Sequence, residues 1–276
     1  MKWISHAGKA VLCALALGAA LAFPAGKGKA DPVSVKKAAI IIDDFGNDLK
    51  GTKEMMELPV PFTAAVMPFL PTTKRDAEWA HRLGHDVLVH LPMEPVKGKK
   101  SWLGPHPIMT DLSDEEIRKR VEAAIDDVPY AIGMNNHMGS KATADERVMR
   151  IVLEVCRERH LLFFDSRTSY RSQVPVLAKQ LGVRTEENQL FFDDVYSRSH
   201  IIKQLALFKK KLDQNRVCTA IGHVGVTGVP MAEELKKTVL ELSPEVTFLT
   251  LSEFIAVKTK GNQDEASPES AGKLQN

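Results

Sequence analysis

Six short apolar runs in this chain each end in a residue that can bind a metal ion or move a proton. Short continuous apolar runs are typical of buried strands in a parallel sheet, because helices cover both faces of such a sheet. In a barrel of parallel strands the carboxyl ends converge on one mouth, where catalytic groups from different strands meet. The pattern therefore predicts an active site at one end of an α/β barrel. Its candidate residues are Asp43 and Asp44, His90, Asn135 to His137, Asp165, Asp193 and Asp194, and His223.

The pattern after Pro32 alternates helix-like stretches with strand-like runs, which indicates a mostly parallel α/β fold. About eight strands are predicted over roughly 225 residues, a length that suits one barrel domain. The stretch 259–276 is polar, has no apolar period and is predicted to be a disordered tail. We therefore expect a single folded domain over residues 31–258.

The first 30 residues have the pattern of a secretory signal peptide. Lys2 and Lys9 give a basic start, Ala10–Phe23 is apolar or small throughout, and Gly28–Ala30 offers small residues for cleavage. The apolar run of 14 residues is shorter than the about 20 needed to span a bilayer. An uncleaved membrane anchor is the alternative, because lysines stand unusually close to the cleavage site. The sequence thus predicts export to the cell envelope or the medium, with cleavage after Ala30.

The charge of the chain argues against a nucleic-acid partner. The first 30 residues hold four of the 37 basic residues and none of the 35 acidic ones, which leaves 33 basic against 35 acidic side chains. A net charge of about −2 without a long basic run does not predict the basic patch that nucleic-acid-binding proteins use.

Asp43 and Asp44 form the sharpest local signal, because two adjacent acids end an isoleucine-rich run. Repulsion between the like charges would raise the pKa of one of them unless a cation lies nearby. A metal ion bound by one carboxylate would resolve the conflict and leave the other as a general base. A turn in which Asp44 or Asn47 caps the following helix is the alternative.

His90 and His137 both follow apolar runs, which places two imidazoles at the same end of the predicted strands. One aspartate and two neutral imidazoles suit Zn²⁺, with Mn²⁺, Co²⁺ and Ni²⁺ as alternatives. Three protein ligands would leave one position for water, as a catalytic zinc site requires. A structural role is the commoner one for any single histidine, and it is assigned to His81, His85, His106, His160 and His200.

Several motifs resemble those of the divergent polysaccharide deacetylases, the YibQ-like branch of the polysaccharide deacetylase and carbohydrate esterase superfamily. The resemblance covers Val35 to about Val257. Residues 41–44 are similar to the Asp-Asp motif of the superfamily, and residues 84–90 are similar to the segment that leads to its first metal histidine. Residues 221–223 resemble its late strand, which carries the acid histidine. Residues 248–253 resemble the end of its domain. Residues 90–95 and 135–140 resemble signatures of the divergent branch itself.

This resemblance implies a distorted (β/α) barrel of about seven strands, of the NodB-like type found among glycoside hydrolases and deacetylases. It implies a hydrolase that removes acyl groups, such as acetyl, from carbohydrate with the help of one divalent metal, zinc in the first instance. Asp43 is carried over as the general base, Asp44 and His90 as metal ligands, and His223 as the general acid.

The chain departs from the common deacetylases at two positions. Their second metal histidine follows the first by four residues, where this chain has Glu94. His137 from the next strand is the expected replacement, and Glu94 is the alternative ligand. The arginine- and proline-rich motif that orients the base in the common deacetylases is absent from the sequence. Asp165 and Arg167 are expected to do that work, with the guanidinium paired to an acid.

Two classes of function follow from these observations. The first is a carbohydrate deacetylase that acts on a polymer or oligosaccharide of the cell envelope or the medium. The second is a non-catalytic envelope protein that binds a glycan or a partner on the same scaffold, because a fold alone does not establish an activity. The intact set Asp43, Asp44, His90, His137 and His223 favours the enzyme.

Overall fold

The computed structural model describes residues 35–265, so the predicted signal peptide and residues 266–276 lie outside the described residues. The strands in this range are β1 Lys36–Phe45, β2 Thr63–Val66, β3 Asp86–Met93, β4 Ala131–Met138, β5 Leu162–Asp165, β6 Thr185–Glu187, β7 Val217–His223 and β8 Val246–Leu249. The α-helices are α1 Thr52–Met56, α2 Thr73–Arg82, α3 Asp114–Asp127, α4 Glu146–Glu158, α5 Val174–Leu181, α6 Arg198–Asn215, α7 Gly228–Leu242 and α8 Leu251–Glu265. Among the described helices, none combines the length and the apolar character needed to cross a membrane.

The strands form a parallel sheet in the order β6-β5-β4-β3-β2-β1-β7. β7 pairs along one edge of β1, while β8 and β2 share the other edge in succession. The segment after β6 bridges the remaining gap, because Ile221 N–H donates to Leu190 O at 2.9 Å and Phe192 N–H donates to Ile221 O at 2.8 Å. The result is a nearly closed seven-stranded (β/α) barrel, which confirms the predicted fold class.

The interior of the barrel is a packed apolar core. One buried cluster combines Ile41, Leu88 and Ile221 from the strands with Leu251 and Ile255 from α8. Backbone N–H groups at the start of α8 donate to side chains of the first residues of β2 and β3, which places this helix at the amino-terminal end of the barrel. The other faces of the strands pack against the helices in a larger cluster. The carboxyl-terminal end is thereby left as the open mouth.

Three of the described helices begin at residues whose side chains cap the first helical turn. Ser113, Asp145 and Ser197 each accept a hydrogen bond through the side chain from the N–H three residues later, at the start of α3, α4 and α6. Such a cap satisfies one of the unpaired N–H groups of the first helical turn. The caps therefore fix the far ends of the loops that leave β3, β4 and β6 at the barrel mouth.

The prediction of a disordered tail from Thr259 is wrong at its start, because α8 continues to Glu265. Lys258 Nζ donates to the carboxylate of Glu186 at 2.6 Å, and Thr259 Oγ1 donates to Ile255 O at 2.8 Å. Extending an existing helix costs little, since each added residue gains a backbone hydrogen bond without the nucleation penalty. Because this stretch is polar, its sequence has no apolar period that would predict the continuation of α8. The rest of the predicted tail, 266–276, lies outside the described residues.

Candidate active site

Strand alternation connects the apolar filling of the barrel to a polar cavity at its mouth. Residues two apart in a strand point to the same side, so a polar residue two positions after an interior residue also faces inward. Asp43, His90 and His223 stand in this relation to the interior residues of β1, β3 and β7. Together they line a cavity of about 720 Å³. The structure thus brings predicted catalytic and metal-binding residues from three strands into one place.

A bulge in β1 sends two successive carboxylates into this cavity. Alternation alone would turn Asp44 to the outer side of the barrel. Between Ile42 and Phe45 the pairing advances by three residues on β1 but by two on β2, so β1 carries one extra residue. Asp44 adopts the left-handed backbone region with φ 71°, which is uncommon for a residue other than glycine. Asp43 and Asp44 consequently both line the cavity.

Asp44, His90 and His137 form a cluster with the spacing of a metal site. His90 Nε2 lies 3.0 Å from His137 Nδ1 and 3.3 Å from Asp44 Oδ1. His137 Nδ1 lies 3.1 Å from Asp44 Oδ1. Ligand atoms at 2.0–2.1 Å from a tetrahedral metal are separated by roughly 3.3 Å. The three atoms therefore match one face of a zinc coordination sphere.

Hydrogen bonds on the far side of each imidazole assign its tautomer. Asn135 Nδ2 donates to Asp43 Oδ1 at 2.9 Å, so the acceptor that faces His90 Nδ1 at 2.8 Å is Asn135 Oδ1. His90 Nδ1 therefore carries the proton, and Nε2 presents a lone pair in the neutral ring. His137 Nε2 donates to Trp102 O at 3.0 Å, which leaves the lone pair of this ring on Nδ1. Such outer hydrogen bonds orient metal-binding histidines and raise their basicity.

The cluster requires a positive charge. Two imidazole lone pairs and a carboxylate oxygen converge when both rings are neutral, and Asp44 Oδ1 is buried without a hydrogen-bond donor among the described residues. Burial opposes ionisation of Asp44, but the imidazoles of His137 and His90, when charged, outweigh burial and hold the pKa of Asp44 well below the usual range. A proton on one ring or a metal ion could supply the charge, and only a metal ion contacts all three atoms at once. The donor set therefore fits a divalent metal such as zinc.

Asp43 lies beside the cluster with one oxygen tied and the other open to the cavity. Oδ1 accepts from Asn135, while Oδ2 lies 3.7 Å from His90 Nε2 and 4.0 Å from His223 Nε2. The side chain is 2 % exposed, and this burial raises the pKa of Asp43. A raised pKa makes the carboxylate a stronger proton acceptor, as a general base must be.

His223 is held by Asp193, which follows the segment that closes the barrel. His223 Nδ1 donates to Asp193 Oδ1 at 2.8 Å, and the backbone N–H of His223 donates to Oδ2 at 3.1 Å. Burial lowers the pKa of His223, but Asp193 outweighs burial and raises the pKa to about 10. The imidazole is therefore protonated at neutral pH, which is the state that a general acid requires.

Asp193→Asn is expected to move the basic limb of the pH–rate profile downward. As a general acid His223 would act only while protonated, so activity in that role should persist until the pH approaches its pKa of about 10. Asparagine can still accept the hydrogen bond but removes the negative charge that raises the pKa most, so the pKa of His223 should fall from about 10 although Asp44 and Asp43 still raise it. The measurement is kcat/KM against pH. The matched control is Asp194→Asn, because Asp194 pairs with His200 instead, and its basic limb should not move.

The same pairing makes the stability of the fold depend on pH. The pKa of His223 is higher in the folded chain than its ordinary value of 6.5, so protonation favours the folded state. This contribution is fully present below about pH 6.5 and is lost as the pH rises through about 10.

Glu94, the alternative metal ligand, is occupied elsewhere. Its carboxylate accepts from the N–H and the Oγ1 of Thr110, both at 2.7 Å, and from Lys141 Nζ at 2.7 Å. Burial raises the pKa of Glu94, but Lys141 and Thr110 outweigh it and the pKa is lowered. The cluster contains His137 and not Glu94, so the geometry supports the expected replacement.

The structure corrects the expectation that Asp165 and Arg167 orient the base. Asp165 ends β5 on the outward side, because the residues before and after it face the barrel interior and the cavity. Arg167 Nε lies 3.4 Å from Glu187, and Nη1 lies 3.9 Å from Asp165. The guanidinium does pair with acids, but Asp43 receives its hydrogen bond from Asn135.

Asn135 and Asp193 make contacts that the sequence does not predict. Both residues end apolar runs and are therefore among the candidates drawn from the sequence. Their partners could not be predicted, because each partner lies on a different strand and depends on which side chains turn inward.

Comparisons with known proteins agree with this architecture. The family profile of the divergent polysaccharide deacetylases matches residues 40–255. The uncharacterised protein YibQ of Escherichia coli strain K12 is 33% identical over 238 residues, which span 85% of this chain and 72% of that protein. A solved structure of an uncharacterised protein from Agrobacterium tumefaciens C58 shares the fold with a TM-score of 0.73 at 18% identity, over 81% of this chain and 91% of that one. A Mycobacterium smegmatis structure provisionally named a polysaccharide deacetylase has a TM-score of 0.52 at 14% identity, over 84% of this chain and 93% of that one. The chain belongs to the divergent polysaccharide deacetylase family.

Proposed function

We propose that this protein is a metal-dependent hydrolase that removes acyl groups, acetyl in the first instance, from a carbohydrate of the cell envelope or the medium. The proposal rests on one arrangement of side chains at the mouth of the barrel. Within a single cavity, three converging metal-ligand atoms lie beside a buried carboxylate with a raised pKa and a histidine whose pKa is raised to about 10. That combination supplies an electrophilic centre, a base and an acid, which are the parts needed for acyl transfer to water.

Asp44, His90 and His137 would hold one divalent metal, zinc in the first instance. A bound zinc ion acts as a Lewis acid that polarises a carbonyl and lowers the pKa of water. Asn135 and Trp102 O would keep the two imidazoles turned toward such an ion, because they hold the far nitrogen of each ring.

The protons are moved by Asp43 and His223. Asp43 Oδ2, open to the cavity, takes a proton from the water that attacks the acyl carbon. His223 Nε2 gives a proton to the departing amine or alcohol as its bond to the acyl carbon breaks. The Asp43 and His223 atoms lie 4.0 Å apart, so one reacting centre can reach both. Asp193 keeps His223 charged until that transfer.

The walls of the cavity support a carbohydrate substrate. Phe191, Tyr196 and Val226 line it, and Tyr196 and Val226 are 74% and 75% exposed. Sugar rings carry apolar faces that pack on such side chains, while their hydroxyl groups can bond to the polar residues alongside. A volume of about 720 Å³ also exceeds what an acetyl group needs and lies within the range of ligand-binding pockets.

Acetate release tests the proposed function. Residues 31–276 are purified, loaded with zinc and incubated with N-acetylglucosamine oligomers, O-acetylated xylo-oligosaccharides and peptidoglycan. We expect acetate from at least one of them, loss of release with a chelator, and recovery when zinc is returned. Binding of these glycans by the zinc-loaded protein without any acetate would instead support the non-catalytic glycan-binding alternative.

We also propose that the protein is exported and processed. The N-terminal segment has the basic start, the apolar run and the small residues of a signal peptide. Mass spectrometry of protein recovered from the producing cells should give an N-terminus at Asp31. An N-terminus still at Met1 would mean that the segment is retained as a membrane anchor.

A further inference from the structure

We infer that the amide of Asn135 assigns the two adjacent aspartates their separate roles. In this inference Asn135 holds Asp43 out of the metal site and turns His90 into it, so that Asp44 alone contributes a carboxylate. The identification of Asp43 as a base rests on the proposed function, whereas the choice of ligands does not. Asn135 is thus a positioning residue, which acts through Asp43 and His90.

The side-chain amide of Asn135 has one permitted orientation. Its NH₂ group donates to Asp43 Oδ1 at 2.9 Å and lies 3.4 Å from Ser166 Oγ, and its carbonyl accepts from His90 Nδ1 at 2.8 Å. A flipped amide would place its carbonyl against the carboxylate and its NH₂ group against the imidazole N–H. Asn135 is 0% exposed, so water cannot replace either bond, and a buried polar group without a partner is costly.

Both Asp43 and Asp44 lie close enough to His90 to bind a cation held by its imidazole. His90 Nε2 lies 3.3 Å from Asp44 Oδ1 and 3.7 Å from Asp43 Oδ2. The hydrogen bond from Asn135 ties the carboxylate of Asp43 at its other oxygen. Asp44 Oδ1 has no donor among the described residues to compete with a metal ion. The difference between the two acids therefore comes from Asn135 and from the bulge that turns Asp44 inward.

Two substitutions of Asn135 test its contact with Asp43 and its contact with His90 separately. Asn135→Ala removes both hydrogen bonds, so zinc affinity should fall roughly 10- to 100-fold, as it does when an outer partner of a metal-binding histidine is lost. Asp43 is then free to bind, and the visible absorption of the Co²⁺-substituted protein should weaken as the coordination number rises. Asn135→Asp keeps an acceptor for His90, so its zinc affinity should stay above that of Asn135→Ala.

The matched control is Asn188→Ala. Asn188 is also buried, but its side chain accepts from the backbone N–H of Leu190. Its zinc affinity and Co²⁺ spectrum should equal those of the unaltered protein. Circular dichroism confirms that each variant is folded.

An unchanged Co²⁺ spectrum in Asn135→Ala would overturn the inference, even if zinc affinity fell, because Asp43 would then not have moved. If Asn135→Ala does not fold, ¹⁵N-labelled histidine in the zinc-loaded unaltered protein decides by NMR. We expect His90 to carry its proton on Nδ1, and a proton on Nε2 would overturn the inference. None of these readouts needs turnover. A protein that shows the expected ligand changes but releases no acetate would retain this inference and lose the proposed function.

Discussion

Asp43→Asn is expected to remove most of the hydrolytic activity while the fold and the metal site remain intact. The amide keeps the shape of the carboxylate and can still accept from Asn135 Nδ2, but it cannot take a proton from water. A positioned acid or base contributes about 10²- to 10⁴-fold to the rate, so kcat should fall within that range. The measurements are acetate release for kcat and elemental analysis for zinc content.

Asp165→Asn is the matched control for this substitution. Asp165 is likewise a buried aspartate at a strand end, but its carboxylate faces away from the cavity and accepts from the N–H of Arg167. We expect its kcat to stay within a few-fold of the unaltered protein. Loss of zinc from Asp43→Asn would contradict the account, because Asp43 would then be a ligand and the base would lie elsewhere.

His137→Ala should cause a larger loss of bound metal than any substitution outside the three ligands. It leaves Asp44 and His90, whereas catalytic zinc sites are built from three protein ligands. The fall in zinc affinity should exceed the roughly 10- to 100-fold that follows the loss of an outer hydrogen bond. Competition with a chromophoric chelator measures the affinity, and acetate release should disappear in parallel at limiting zinc.

Glu94→Gln provides the comparison, because it removes a carboxylate at the position of the usual second histidine. Glu94 bonds to Thr110 and Lys141, so zinc affinity should be unchanged in this variant. The reverse pattern, with zinc lost from Glu94→Gln and retained by His137→Ala, would show that Glu94 is the third ligand.

The barrel and the location of its active end could be predicted because both follow from local patterns. Buried parallel strands require continuous apolar runs, and their carboxyl ends meet at one mouth whatever the helices between them do. Asp43, His90 and His223 therefore come together as expected. His137 joins them from β4, and the cluster that it forms with Asp44 and His90 does not include Glu94.

The remaining features depend on the backbone in ways that the sequence does not show. The inward turn of Asp44 needs a bulge in the pairing with β2, and apolar periodicity does not mark a bulge. Asp165 is a candidate because it ends an apolar run, yet alternation places it on the outer side of its strand. The double role of Asn135 arises from contacts with β1 and β3, which are made only when the barrel closes.

Anomalous X-ray diffraction at the zinc absorption edge, on crystals of the zinc-loaded protein, shows directly which residues hold the metal ion. We predict one strong peak bonded to Asp44 Oδ1, His90 Nε2 and His137 Nδ1, with Asp43 beside the ion and still bonded to Asn135. A peak with Glu94 or Asp43 among its ligands, or zinc bound only at another place, would contradict the account.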